Sequence, residues 1–221
     1  FEYFAWDYIG TYRDAEDIAS SPSYPGAEPG DAKYRDVDGD GEITTDDRTI
    51  LGTMMPDFTW NMTNGFKYKG FDLNVLVTAV VGGKKVNTFK RRTQWWHGGR
   101  NLIIDMADAW SEENPDAYRF KPSVDVTAFN TRPSSYWFDD ADFIKIQNLT
   151  LGYTFKPGSL ERLDIAGLRL YLSAERLISF DNFIGYDPEQ GRGGGQHFGR
   201  GFTHSEYAIP RVLTAGINIS L

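Results

Sequence analysis

Five stretches of this chain alternate apolar and polar residues with a period of two, the signature of half-buried β-strands. In residues 57–67, Phe58, Trp60, Met62 and Phe66 share one face, opposite Thr59, Asn61, Thr63 and Lys67, with Asn64 as the exception on the apolar side. A tight turn at Lys69-Gly70 leads into residues 71–81, where Phe71, Leu73, Val75, Val77, Ala79 and Val81 oppose Asp72, Asn74 and Thr78. Residues 143–155 place Leu149, Leu151, Tyr153 and Phe155 against Asn148, Thr150, Gly152 and Thr154. At the start of that stretch the pattern inverts, with Ile144 and Ile146 against Lys145 and Gln147, so this end is expected to lie beyond any lipid. Residues 168–180 set Leu168, Leu170, Leu172 and Ala174 against Arg169, Tyr171, Ser173 and Glu175. The chain closes on Leu213, Ala215, Ile217, Ile219 and Leu221 against Thr214, Gly216, Asn218 and Ser220. The aromatic residues 1–9 read as the end of a sixth strand.

The connections are unequal. Residues 10–56, 82–142 and 181–207 are long and irregular, 69–70 is a tight turn, and 156–167 is intermediate. If the strands run alternately up and down, every long connection falls on one rim. The fold expected is all-β: an antiparallel transmembrane β-barrel segment of about six strands, with long extracellular loops and shorter periplasmic turns. Six strands are too few to close such a barrel, and the chain begins at Phe1, so a longer protein is expected to supply the rest. A soluble β-sandwich also alternates, but its strands rarely run to eleven or more residues throughout. Lipid-facing strands should meet the membrane through their Leu and Phe residues. Asn74, Thr78, Asn148, Thr150 and Ser173 should line the lumen.

Composition narrows the function. There are no cysteines, hence no disulfides or thiolate metal sites. Net charge is −8, and residues 10–56 hold eleven acids against four bases, which argues against a nucleic-acid partner. The acids concentrate in residues 36–47, DVDGDGEITTDD. Asp36, Asp38, Asp40 and Asp47 stand at positions 1, 3, 5 and 12, Glu42 at position 7 can offer its carbonyl, and Gly41 sits where a sharp turn needs positive φ. Ile43 can anchor the loop. This spacing wraps oxygens round a hard cation, and Ca2+ is the expected ligand, as a structural clip rather than a switch. No enzyme constellation stands out. His97, His197 and His204 lack metal-ligand spacing, and Asp139-Asp140 read as solvated. The GRGGG run at residues 191–195 reads as a loop, and residues 101–111 as a short helix. Trp95, Trp96, His97 and Arg100 are the candidates for contact with a sugar ring or a capping partner, because aromatic rings offer an apolar face with a polar edge.

Residues 30–82 (GDAKYRDVDGDGEITTDDRTILGTMMPDFTWNMTNGFKYKGFDLNVLVTAVVG) resemble the C-terminal part of SusC/RagA-type TonB-dependent outer-membrane transporters. So do FDDADFIKIQNLTLGYTF, LRLYLSAERLISFDNFIGYDPE and the closing PRVLTAGINISL. Two positions depart from the pattern: Arg176 stands where Asn commonly precedes Leu, and Leu221 where a terminal Phe is frequent. The resemblance implies a 22-stranded barrel with an N-terminal plug outside this chain, residues 1–221 being the C-terminal part of the barrel. It also implies a SusD-like surface lipoprotein, energy through TonB, and import of oligosaccharides or oligopeptides across the bacterial outer membrane. The alternative from another class is a secreted calcium-binding, glycan-binding β-module.

Overall fold

The computed structural model describes residues 2–95, 101–122, 129–156, 158, 164–191, 201–203 and 207–220. They fall into two compact units, one of residues 1–55, 83–140 and 190–206, the other of residues 56–82, 141–189 and 207–221. The second unit carries the alternating stretches.

Its five long strands are β5 (Phe58–Tyr68), β6 (Phe71–Val81), β9 (Phe143–Thr154), β10 (Gly167–Asp181) and β12 (Val212–Ser220), numbered by their place in the whole chain. They pair in the order β12-β10-β9-β6-β5, every pair antiparallel, so each strand lies beside its nearest long neighbour in sequence. The β5–β6 turn has Lys69 at φ 46° and Gly70 at φ 91°, the positive values a two-residue hairpin needs to match strand twist. Residues 69–70 and 155–166 connect strands at one end of the sheet. The chain leaves from the other end after β6 and after β10. One face carries the apolar residues of all five strands. Many of the large ones are exposed, Phe66 61%, Leu172 61% and Leu213 77%, while Ala79 and Ala174 on the same face are buried.

The inversion at residues 144–147 has a local cause. Leu76 pairs with Asn148 and Val77 with Ile146, so Gln147 is an extra residue in β9. This bulge flips the parity of the strand. Ile146 and Ile144 therefore lie across from Val77 and Ala79, on the apolar face, and not beyond it as the bare pattern suggested. Lys145 moves to the polar face, across from Thr78. At the same level β10 bulges as well: Glu175 pairs with Asn148 and Ile178 with Ile146. Arg176 sits in this bulge at φ 52°. Left-handed backbone costs an ordinary L-residue roughly 1–2 kcal/mol, and Asn tolerates it better. The Asn of the SusC/RagA-type pattern thus has a backbone reason. Arg176→Asn should raise the melting temperature of the full-length protein in detergent, by about 1 kcal/mol of stability.

The first unit corrects the reading of residues 10–56, 82–142 and 181–207 as irregular loops. β1 (Glu2–Trp6) pairs with β4 (Arg48–Thr53), and β2 (Tyr8–Thr11) with β3 (Ala32–Tyr34). Residues 1–9 therefore contribute to this unit, and no sixth strand joins the five-stranded sheet among the described residues. β7 (Lys84–Asn87) lies between β8 (Phe138–Asp140) and β11 (Phe202–Thr203). Two short helices, α1 (Ala15–Ser20) and α2 (Thr88–Gln94), are capped by Asp14 and Asn87, each accepting a backbone N–H of the first turn. Within residues 101–111 there is a 3-10 turn, Ile104–Asp108, rather than an α-helix.

The core of this unit is aromatic: Trp6, Tyr8, Tyr12, Tyr24, Tyr34, Phe120, Tyr136 and Trp137, with Ala32 and Ile43. Tyr24 stacks on Phe129 at 3.6 Å, and Tyr136 meets Trp137 edge-on at 4.8 Å. Tyrosine bodies fill the core while most of their hydroxyls are hydrogen-bonded. The buried Tyr24 hydroxyl is the exception, and Trp137 Nε1 is likewise without a partner among the described residues. Tyr12 donates to Pro22 O at 2.7 Å, Tyr34 to Phe129 O at 2.6 Å, and Tyr136 to Gln94 Oε1 at 2.7 Å. Burial raises these phenols above their ordinary range. The half-buried Tyr3, which donates to Gly201 O, is pushed up to about 12. All therefore remain donors at neutral pH.

Candidate functional site

The acidic loop is built by its own side chains. Asp36 accepts the N–H of Gly39 at 2.6 Å and of Gly41 at 3.0 Å, Asp38 that of Asp40 at 3.2 Å, and Asp40 that of Glu42 at 2.8 Å. These successive turns wind the backbone round the carboxylates. Gly41, at φ 87°, takes the positive-φ position that the spacing predicted. Carboxylate oxygens of Asp36, Asp38 and Asp40 lie within 4.8 Å of one another. Ile43 is buried in the aromatic core, and its N–H donates to Ser23 O at 3.0 Å. Trp6 Nε1 donates to Thr44 O at 2.7 Å, so the loop is fastened from both sides.

The other two sequence candidates lie elsewhere in this loop. Asp47 is fully buried and accepts Val37 N at 2.8 Å and Thr44 N at 2.7 Å, which closes the twelve-residue ring on itself. Glu42 is exposed and outside the cluster of three. The charges leave a mark. Burial raises Asp36, but the N–H groups of Gly39 and Gly41 outweigh it and hold the carboxyl below its ordinary value. Asp38 is helped by the Asp40 N–H, yet burial and the neighbouring Asp40, Asp47 and Asp36 leave it raised.

Of the contact candidates, Trp95 packs half-buried against the aromatic core, with the Arg91 guanidinium 5.2 Å from its ring centre. Trp96, His97 and Arg100 lie outside the described residues, as do His197, His204 and most of the glycine run. The basic cluster at residues 84–92 is engaged locally. Lys84 pairs with Asp140 at 3.1 Å, and Lys85 Nζ donates to Gln190 O at 3.1 Å. Lys90, largely buried, pairs with Asp139 at 3.4 Å, and Asn87 Nδ2 donates to the same carboxylate at 2.6 Å. The Asp139 side chain is thus paired and only 11% exposed, whereas Asp140 is exposed as the sequence suggested.

On the sheet, the polar face carries features the alternation did not disclose. Thr150 Oγ1 and Ser173 Oγ share a hydrogen bond of 2.9 Å. Arg169 grips Asp72 with two bonds, at 2.6 and 3.1 Å, although β9 runs between their strands. The bridge passes over Gly152. A Cβ there would lie 2.4 Å from Arg169 Nη2 and 2.6 Å from Asp72 Oδ1, so only glycine lets the pair meet. Beside it opens a pocket of about 680 Å3 lined by Lys67, Lys69, Asp72, Asn74, Thr154 and Arg169. No helix among the described residues is long and apolar enough to cross a membrane.

No protein-family model matches the chain. It is 30% identical to TonB-dependent receptor P3 of Formosa agariphila over 222 residues, 98% of this chain and 22% of the receptor. TonB-dependent receptor P26 of the same organism is 28% identical over 216 residues, 96% of this chain and again 22% of the receptor. Among solved structures, the RagAB peptide transporter superposes with a TM-score of 0.73 at 21% identity, over 99% of this chain and 22% of that one. The chain is a homologue of TonB-dependent receptors, and it shares its fold with part of the RagAB transporter. This receptor segment spans about a fifth of the length of the relatives it matches. Those relatives are described as receptors and a transporter, not as enzymes.

Proposed function

We propose that the chain is part of an outer-membrane β-barrel that actively imports an oligomeric solute, with energy delivered through TonB and a SusD-like lipoprotein at its outer mouth. The observation that carries this is the exposed apolar face of the five-stranded sheet. Leu and Phe residues from every strand stand in a row, opposite a face of Thr, Asn, Ser, Asp and Arg. In water such a face is a liability. In a bilayer it is the lipid-facing half of a barrel wall whose other half lines an aqueous lumen. A secreted glycan-binding module would not need it.

The first reading of the cargo is an oligosaccharide. A specific observation favours a second, an oligopeptide: a solved structure that superposes with a TM-score of 0.73 is described as a peptide transporter. Isolation of the full-length protein from native membranes in mild detergent, followed by mass spectrometry, tests both. A stoichiometric lipoprotein with bound oligosaccharide or peptide is expected, and the bound species names the cargo class. Recovery of the protein alone from the soluble fraction, without detergent, would overturn the barrel.

The acidic loop in this reading holds Ca2+ as a structural clip. The donor set fits: three carboxylates with oxygens close together, each already oriented by backbone N–H groups, and a raised Asp38 that a cation would relieve. Asp36, Asp38 and Asp40 would hold the ion, with the Glu42 carbonyl. Asp47 would shape the ring from inside.

A further inference from the structure

Beside the Lys69-Gly70 turn, the polar face of the five-stranded sheet ends in the pocket of about 680 Å3, a size common for small-molecule sites. Its charges do not cancel. Asp72 is the one acid among the described residues that line it, and both of its oxygens are taken by Arg169 Nε and Nη2. Lys67 stands directly across from Asp72 in the β5–β6 pairing, yet it has no ion pair among the described residues. Lys69 Nζ lies 5.1 Å from the centre of the Tyr68 ring, a contact that uses none of its N–H groups as hydrogen-bond donors.

The neutral groups of the pocket are free as well. Among the described residues, the side chains of Asn74 and Thr154 form no hydrogen bond. Arg169 spends one edge of its fork on Asp72, and its Nη1 donors stay open. Asp72 holds the guanidinium across Gly152, and the Tyr171 ring lies 5.3 Å from it on β10. Three cations against one acid, with fixed donors between them, suit an oxyanion. A planar guanidinium edge and ammonium groups both bond well to carboxylate, sulfate or phosphate oxygens.

We propose that Lys67, Lys69, Asn74, Thr154 and Arg169 form a binding site for an oxyanion carried by a soluble ligand. The site opens on the polar face, away from the exposed Leu and Phe residues of the sheet. On the import reading, on which this step alone rests, the oxyanion belongs to the cargo. It is then the terminal carboxylate of an oligopeptide or an acidic group of an oligosaccharide, met where the lumen wall reaches its short turns.

Covalent labelling of lysines on the full-length receptor in detergent tests the site, with an uncharged amine-acylating reagent and peptide mapping by mass spectrometry. An ammonium held by an anion is shielded and stays protonated, so it acylates slowly. Inorganic phosphate, against chloride at equal ionic strength, should slow the labelling of Lys67 and Lys69 about fivefold or more near saturation. Lys33 and Lys121 should keep their rates, because Asp17 and Glu28 already hold them. Asn74→Asp adds a carboxylate to the pocket with little change of shape and should abolish the protection. Lys67→Gln, read at Lys69, carries the same test should that variant fail to fold. Equal rates in phosphate and chloride overturn the site, and so does protection that survives in the folded variant. A second arm reads the source of the oxyanion: a short peptide acid against its amide, and an oligogalacturonate against its methyl ester. Protection by one acid and not by its neutral partner is expected, and it names the cargo's charged group. Protection by phosphate alone overturns the link to cargo. Labelling needs no transport, so a receptor that imports nothing would still show the site, and its loss would leave the import reading standing.

Discussion

In a Trp137→Ala variant, the unit of residues 1–55, 83–140 and 190–206 is expected to lose about 3–5 kcal/mol of stability. Trp137 is 2% exposed and joins two parts of the aromatic core, with Tyr136 edge-on at 4.8 Å and Phe120 at 5.7 Å. Removing the indole leaves a cavity that the tethered tyrosines of this core cannot readily fill, because their hydroxyls hold them to fixed acceptors. Tyr136 is tied to Gln94, Tyr34 to Phe129 and Tyr12 to Pro22. The cost should therefore sit at the upper end for a core substitution. Hydrogen exchange of the slowest amides in residues 2–55 and 83–122 would register it as an acceleration of a hundredfold or more, taking about 1.4 kcal/mol per factor of ten. Trp137→Phe, which keeps most of the contact, should cost less than half as much. Equal and small effects of both would mean that this cluster does not set the unit's stability.

That cluster also shows where the sequence stops being readable. The five long strands follow from period-two alternation, a local signal, and the turn at Lys69-Gly70 follows from turn chemistry. The aromatic core has no period. Its members come from residues 6–43 and 120–137 and meet only in three dimensions. Trp6, Tyr8, Ala32 and Tyr34 sit on strands of three to five residues, too short to alternate visibly, Tyr136 and Trp137 on a 3-10 turn, and the rest outside regular elements. The same segments thus read as loops. The bulge at Gln147 was visible as an inversion, but its meaning depended on the register against β6 and β10. Asp139 looked like an exposed acid beside a strand because nothing in its neighbourhood announces Lys90, forty-nine residues earlier, as its partner. Likewise, the GYDPE stretch was legible as a motif, whereas Lys145, which pairs with its Asp187 and Glu189, lies forty-two residues before Asp187 on β9. The acidic loop was the most legible feature of all, since one twelve-residue window contains Asp36, Asp38, Asp40 and the glycine that turns them inward.

Chelation should therefore give the clearest change in solution. Adding EGTA to the purified full-length receptor in detergent is expected to lower the melting of the first unit by roughly 5–10 °C, as linkage predicts for an ion held well above its dissociation constant. Ca2+ should restore it. Mg2+ should restore less, because it demands a tighter octahedral shell than three carboxylates on a flexible ring supply. The pH dependence follows from Asp38. Its carboxyl is raised in the folded loop, so without a cation its stabilising contribution is present below its unfolded value and is lost as pH rises through the folded value. The deficit left by EGTA should accordingly be larger at neutral pH than near pH ~4, where protonation begins to relieve the same repulsion. Asp38→Asn relieves that repulsion permanently and removes a ligand. It should make the apo protein no less stable while abolishing most of the response to Ca2+. Identical melting with EGTA and with Ca2+ would leave the loop as a self-closed turn, held by its own aspartate hydrogen bonds and by the Ile43 and Trp6 contacts.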